Sequence, residues 1–143
     1  MPATFSSFGI QFLYPENWIV AEREKDASTV GVTLELPTGG FLSIERELQG
    51  MLDEELIEEV SDTIETEYEE VEREEISLEG AGRDERTVDF RFYYLDLLII
   101  SRLVLITIGD FRYLIQFQAE SRDFDANELV LAAILQQLRA ETG

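Results

Sequence analysis

An α+β fold is predicted, with an antiparallel sheet and two helices packed on it, one in mid-chain and one at the C-terminus. Three observations predict it. Apolar and polar residues alternate at every second position through most of the chain, the period of a half-buried strand. The breaks between these stretches are short and rich in turn residues, which implies antiparallel neighbours. Two segments alone switch to the three-and-four spacing of an amphipathic helix. The 143 residues, 45% of them hydrophobic, fit one domain spanning 1–143. A chain of that size can bury about 70% of its unfolded surface.

The elements follow in order. Ile10, Phe12 and Tyr14 alternate, Pro15-Glu16-Asn17 turns the chain, and Trp18-Ile19-Val20 resumes it. Val30, Val32, Leu34 and Leu36 alternate up to Pro37-Thr38-Gly39-Gly40, which closes a hairpin onto Phe41 to Glu47. The first helix is predicted from an N-cap at Asp53, with Leu56, Val60 and Ile64 as its apolar stripe. The rest of it is acidic. Glu54/Glu58, Glu55/Glu59, Glu58/Asp62 and Glu65/Glu69 are like-charge pairs four apart, each costing a few tenths of a kcal/mol, so packing of the stripe must hold this helix. A strand from Val71 to Leu78 and a Gly80-Ala81-Gly82 turn come next. Thr87 to Leu95 alternates again. Leu98 to Ile108 is almost continuously apolar, as expected of a central strand. Gly109-Asp110 turns the chain into Phe111 to Gln118. The last helix is predicted from Asp125, with Leu131, Ile134, Leu135 and Leu138 as its buried stripe.

Composition narrows the chemistry. The chain has no histidine, no cysteine and one lysine, Lys25. A Ser-His-Asp or Cys-His nucleophile, a His/Cys zinc site and thiol redox chemistry are therefore excluded. A formal net charge of -20, from 31 acidic against 11 basic residues, repels phosphate backbones and anionic membranes, so neither nucleic acid nor membrane is expected as a partner. The acidity is read as a solubilising surface that allows, without implying, a basic protein partner. Met1-Pro2-Ala3-Thr4-Phe5 lacks the pattern of a secretory signal, and the apolar run Leu97 to Ile108 is interrupted and shorter than the ~20 residues of a membrane helix. A cytoplasmic protein is expected.

Each motif has a plain structural reading. The acidic helix lacks the Asp-x-Asp-x-Asp-Gly loop of a calcium site and reads as a solvated face, so no metal is expected. Gly80-Ala81-Gly82 lacks the third glycine and the helix of a dinucleotide site, and no cofactor is expected. Carboxylates such as Asp84, Glu85 and Asp89, with a tyrosine, offer acid/base chemistry as the enzymatic alternative, and a small-ligand-binding domain is the other. Trp18 reads as a core anchor. Arg102, inside an apolar strand, must reach a carboxylate or water, as an internal ion pair or as an anchor on an open face. Tyr93 to Leu98 is a hairpin tip with no glycine, proline or asparagine, so either the turn is buried or another chain covers it, and a homodimer contact is the favoured reading.

The segment Phe8-Gly9-Ile10-Gln11-Phe12-Leu13-Tyr14-Pro15-Glu16-Asn17-Trp18 resembles the opening strand and Tyr-Pro-x-x-Trp turn of the Mog1/PsbP-like proteins. The acidic helix, three-strand meander and short C-terminal helix that follow are similar to theirs. The resemblance implies that fold and a non-enzymatic, protein-binding role. The superfamily includes a Ran-binding import factor, extrinsic photosystem II subunits and bacterial chaperones for type VI secretion effectors. Missing an export signal and a leading helix, the chain departs from the photosystem branch. A secretion effector is thus the most concrete partner implied.

With both helices on one face, the other would be open and would carry Thr33 and Glu35 alongside Asp89, Arg91, Tyr93, Arg102, Arg112 and Gln116. The last six are the predicted partner-binding residues, because arginine and tyrosine are enriched at interfaces.

Overall fold

The computed structural model describes residues 2–21 and 30–140. Its elements are β1 (Ala3–Ser7), β2 (Ile10–Tyr14), β3 (Ile19–Val20), β4 (Gly31–Glu35), β5 (Phe41–Arg46), α1 (Asp53–Glu67), β6 (Glu72–Ile76), β7 (Arg86–Tyr94), β8 (Leu97–Ile108), β9 (Phe111–Glu120) and α2 (Ser121–Ala140). Seven strands form one sheet in the order β3-β4-β5-β9-β8-β7-β6, and β1 with β2 forms a separate hairpin. Every pairing is antiparallel. The class is α+β, as the alternation and short turns imply.

The helices do not share a face. On one side α2 packs Phe124, Leu131, Ile134, Leu135 and Leu138 against Val104, Ile106, Tyr113, Ile115 and Phe117, joined by Ile10 and Phe12 of the hairpin. On the other, α1 packs Leu56, Ile57 and Ile64 against Val88, Phe90, Phe92, Leu103 and Leu105. The reason lies in β8. Its apolar run sends odd residues to α1 and even residues to α2, and a strand apolar on both faces needs cover on both. The single open face expected from alternation is therefore corrected to a sheet with a helix on each side.

The first hairpin escapes a reading limited to strong alternation. Phe8 and Gly9 form its turn at φ 34° and 83°, the left-handed pair of a tight hairpin. Phe8 tolerates this because its surroundings hold it. Its carbonyl accepts a 2.6 Å hydrogen bond from Arg46 Nη2, and its ring meets Phe5 edge-on at 5.6 Å. Trp18 is 4% exposed and stacks on Phe117 at 6.1 Å, a core anchor as expected. Gly40 lets the β4–β5 turn press on β9, where a Cβ would meet the Gln118 carbonyl oxygen at 2.7 Å.

Both helix starts are shifted from expectation. At α1 the capping position is Leu52, whose N–H donates to the Glu55 carboxylate at 3.1 Å. Asp53 is drawn instead to Arg112. At α2 the helix begins at Ser121, a turn before Asp125, because the Glu120 carboxylate accepts the Arg122 N–H at 2.9 Å and satisfies an end group there.

Candidate functional site

Strand register separates the six predicted partner-binding residues. Asp89 pairs with Arg102, Arg91 with Ile100 and Tyr93 with Leu98, all on the α2 side. Arg112 pairs with Thr107 and Gln116 with Leu103, on the α1 side. Thr33 stands opposite Ser43, itself opposite Gln116, so Thr33 and Glu35 also belong to the α1 side. Alternation sets which residues of one strand share a face, but the turns set which face that is. The tight Gly109-Asp110 turn pairs Arg112 with an odd residue of β8, opposite the side of Arg102.

Two of the six are buried. Asp89 is 3% and Arg102 8% exposed. Arg102 Nε and Nη2 donate to the two Asp89 oxygens at 2.8 and 3.0 Å, and Nη1 donates to Glu128 of α2 at 3.0 Å. The guanidinium also lies 4.9 Å from the centre of the Phe124 ring. Burial pulls the Arg102 pKa down, but Asp89 and then Glu128 more than offset this and leave it above the usual arginine value. Of the two readings of Arg102, the internal ion pair is the one observed. Arg91 pairs with Glu74 at 3.3 Å, and Tyr93 is exposed at the hairpin tip.

This is a general use of arginine in the chain. Five arginines tie helices to the sheet or its loops: Arg73 to Glu58, Arg86 to Glu54, Arg112 to Asp53, Arg102 to Glu128 and Arg139 to Glu85. The planar fork suits two-point bonding to a carboxylate in a way that a lysine ammonium does not. Arg112 also donates to Thr107 Oγ1 at 3.0 Å and to the Asp84 carbonyl at 2.7 Å. Arg139 grips both oxygens of Glu85, at 2.8 and 2.7 Å, which raises its own pKa. Asp84, Glu85 and Asp89, the acids considered for acid/base chemistry, are thus held by three different arginines. Among the described residues no group of three or more acids is placed to hold a metal ion.

One open feature lies on the α1 side. The helix covers β7 and β8, and beside it runs a groove of about 330 Å³ towards β5 and β9. Its floor is Ser43, Leu103, Leu114 and Gln116. Its helical wall is Leu56, Glu59, Val60, Thr63 and Ile64, and residues 47–51 close one end. Gln116 is held in place by a 2.9 Å bond from its Nε2 to Ser101 Oγ. The closing loop is shaped by Glu47, whose carboxylate accepts the N–H groups of Gln49 at 2.6 Å and Gly50 at 2.9 Å. Of the six predicted residues, Gln116 alone lines this groove. The others of the lining were missed because they are ordinary stripe and turn residues, and their convergence depends on β5 pairing with β9 across more than sixty positions of chain.

The hairpin tip is apolar and uncovered within the chain, so its turn is not buried. Leu95 is 78%, Tyr93 64%, Tyr94 52% and Leu97 42% exposed. Leu95 and Asp96 both take positive φ, 49° and 65°.

No family model matches the chain, and no curated protein matches it. Among solved structures, the chain is similar to PA94, a protein of unknown function and suggested regulator from Pseudomonas aeruginosa. The TM-score is 0.50 and the identity 14%, over 96% of this chain and 95% of that one. A likeness at that identity concerns the fold. No helix among the described residues is long and apolar enough to cross a membrane.

Proposed function

We propose that this chain is a non-enzymatic, protein-binding module of Mog1/PsbP-like type, acting in the cytoplasm as an adaptor or chaperone through the groove beside α1. The observation that carries this reading is the groove itself. It is open to solvent along the helix, lined by apolar and hydrogen-bonding side chains, and built on strands held in register on both sides. Such a half-apolar, half-polar cleft on a rigid scaffold is what a partner segment needs. The acids considered for catalysis being held by arginines also favours binding over acid/base chemistry. A bacterial secretion effector is the partner class that fits the resemblance of the Tyr14-Pro15-Glu16-Asn17-Trp18 segment.

The test is to fill the groove. Thr63 is an exposed helical residue on its wall. Thr63→Trp should place an indole in the cleft and weaken capture of a native partner by about tenfold or more, since a buried anchor is worth 2 kcal/mol or above. The same substitution at Gln136, an exposed position of α2 across the sheet, should leave capture unchanged. Full-strength capture by the Thr63 variant would reject the groove as the working surface.

A further inference from the structure

We infer that the partner segment seated in this groove is cationic, with one or two aliphatic side chains flanked by lysine or arginine. The inference rests on the groove being the working surface and adds the chemistry of its occupant. Size sets the first limit. A cavity of ~150 Å³ holds a benzene molecule, so about 330 Å³ takes two side chains of that order and not a whole helix. The apolar part of the lining, Leu103, Leu114 and Val60 among others, is where those side chains would sit.

Charge sets the second. The groove carries the carboxylates of Glu47 and Glu59. Arg46 also borders it, but its guanidinium is turned to the opposite side of the sheet. There it donates to the Phe8 carbonyl at 2.6 Å and the Tyr113 hydroxyl at 3.0 Å and lies 3.8 Å from the Phe111 ring centre. The cation therefore does little to offset the rim. Glu47 takes two backbone N–H groups, which orient its charge without cancelling it, and Glu59 has no ion pair among the described residues. Elsewhere among the described residues, Arg102, Arg112 and Arg139 are likewise turned inward into ion pairs that hold helices. An anionic rim around an apolar floor favours a cationic, partly apolar segment and repels an acidic one.

The probes are three synthetic peptides with leucine at alternate positions and lysine, serine or glutamate between. Each is titrated into isotope-labelled protein at about 150 mM salt, where the Debye length of ~8 Å suppresses diffuse attraction to the net charge. The lysine peptide should move the amides of Ser43, Thr63, Leu114 and Gln116 and bind more tightly than the serine peptide. The glutamate peptide should not bind. Glu59→Gln should weaken the lysine peptide about two- to fivefold, the range for one partly exposed ion pair. Asp125→Asn, an exposed acid on the other side of the sheet, should change it by less. If the serine peptide binds the groove as tightly, or Glu59→Gln has no effect, the cationic occupant is wrong while the groove stands. If the lysine peptide moves amides scattered over the surface, the inference also fails. If no peptide moves the groove amides and Thr63→Trp leaves native capture intact, the groove reading fails with it.

Discussion

The pair Arg102–Asp89 should be far more costly to break than to remove. Its side chains retain 9% and 4% of their exposure, and two charge-assisted bonds of 2.8 and 3.0 Å join them. Asp89→Leu would leave a buried guanidinium with Glu128 as its remaining carboxylate. Bonds to charged groups are worth about 1.5–3 kcal/mol each, and losing one partner of a buried pair costs about 3–5 kcal/mol. Glu128 stays in place and offsets part of this, so the low end applies, about 3–4 kcal/mol. For a chain of this size that lowers the melting temperature by roughly 10 °C. The double variant Asp89→Leu/Arg102→Met removes both desolvation costs. It should lie within about 1 kcal/mol of the parent, less only the modest contact of the guanidinium with the Phe124 ring. Urea unfolding followed by circular dichroism on the parent, both single variants and the double closes the cycle. A cost under about 1 kcal/mol for Asp89→Leu, or a double variant as unstable as the single, would refute the claim that this pair is buried and mutually dependent.

Three further outcomes are expected. Replacing Leu95 by asparagine and Asp96 by glycine gives the tight turn the residues it favours, with no burial lost at an exposed tip, and should raise stability by about 1–2 kcal/mol in thermal unfolding; a fall would show that Leu95 makes contacts that matter. Raising salt from about 10 to 150 mM shortens the Debye length from ~30 to ~8 Å and should raise the melting temperature, since most outward charges are alike; a flat or falling curve would show that the arginine pairs outweigh the repulsion. The hydrogen bond from Arg73 holds the Glu58 carboxyl below the ordinary glutamate value of 4.5, so its contribution is present above that value and is lost as pH falls through the lowered folded one. Glu58→Gln should therefore lose less stability on acidification below pH 4.5 than the parent does, and an identical acid limb would count against the pairing.

The strand content was legible because alternation and turn residues act locally. β4, β5, β7, β8 and β9 follow from them directly, as does the burial of Trp18. β1 was not, because Ala3, Thr4, Ser6 and Ser7 give weak contrast and the turn that pairs it relies on a phenylalanine at positive φ. The sides of the sheet were not legible either. The apolar run of β8 pointed to cover on both faces, but nothing local says that Arg102 and Arg112 face opposite ways. The groove was the least legible feature, since it depends on β5 meeting β9 and on α1 covering only part of the sheet.

Photo-crosslinking from defined positions shows whether partners bind beside α1. A crosslinking side chain is placed in turn at Ser43 and Thr63, on the floor and the helical wall of the groove, and at Arg91 and Tyr93, on the far side of the sheet. Each variant is exposed to native lysate and irradiated, and its adducts are identified by mass spectrometry. Binding in the groove gives one shared adduct from Ser43 and Thr63 that is absent from Arg91 and Tyr93 and is suppressed by the leucine–lysine peptide. An adduct that forms from Arg91 or Tyr93 and not from the groove positions would contradict it.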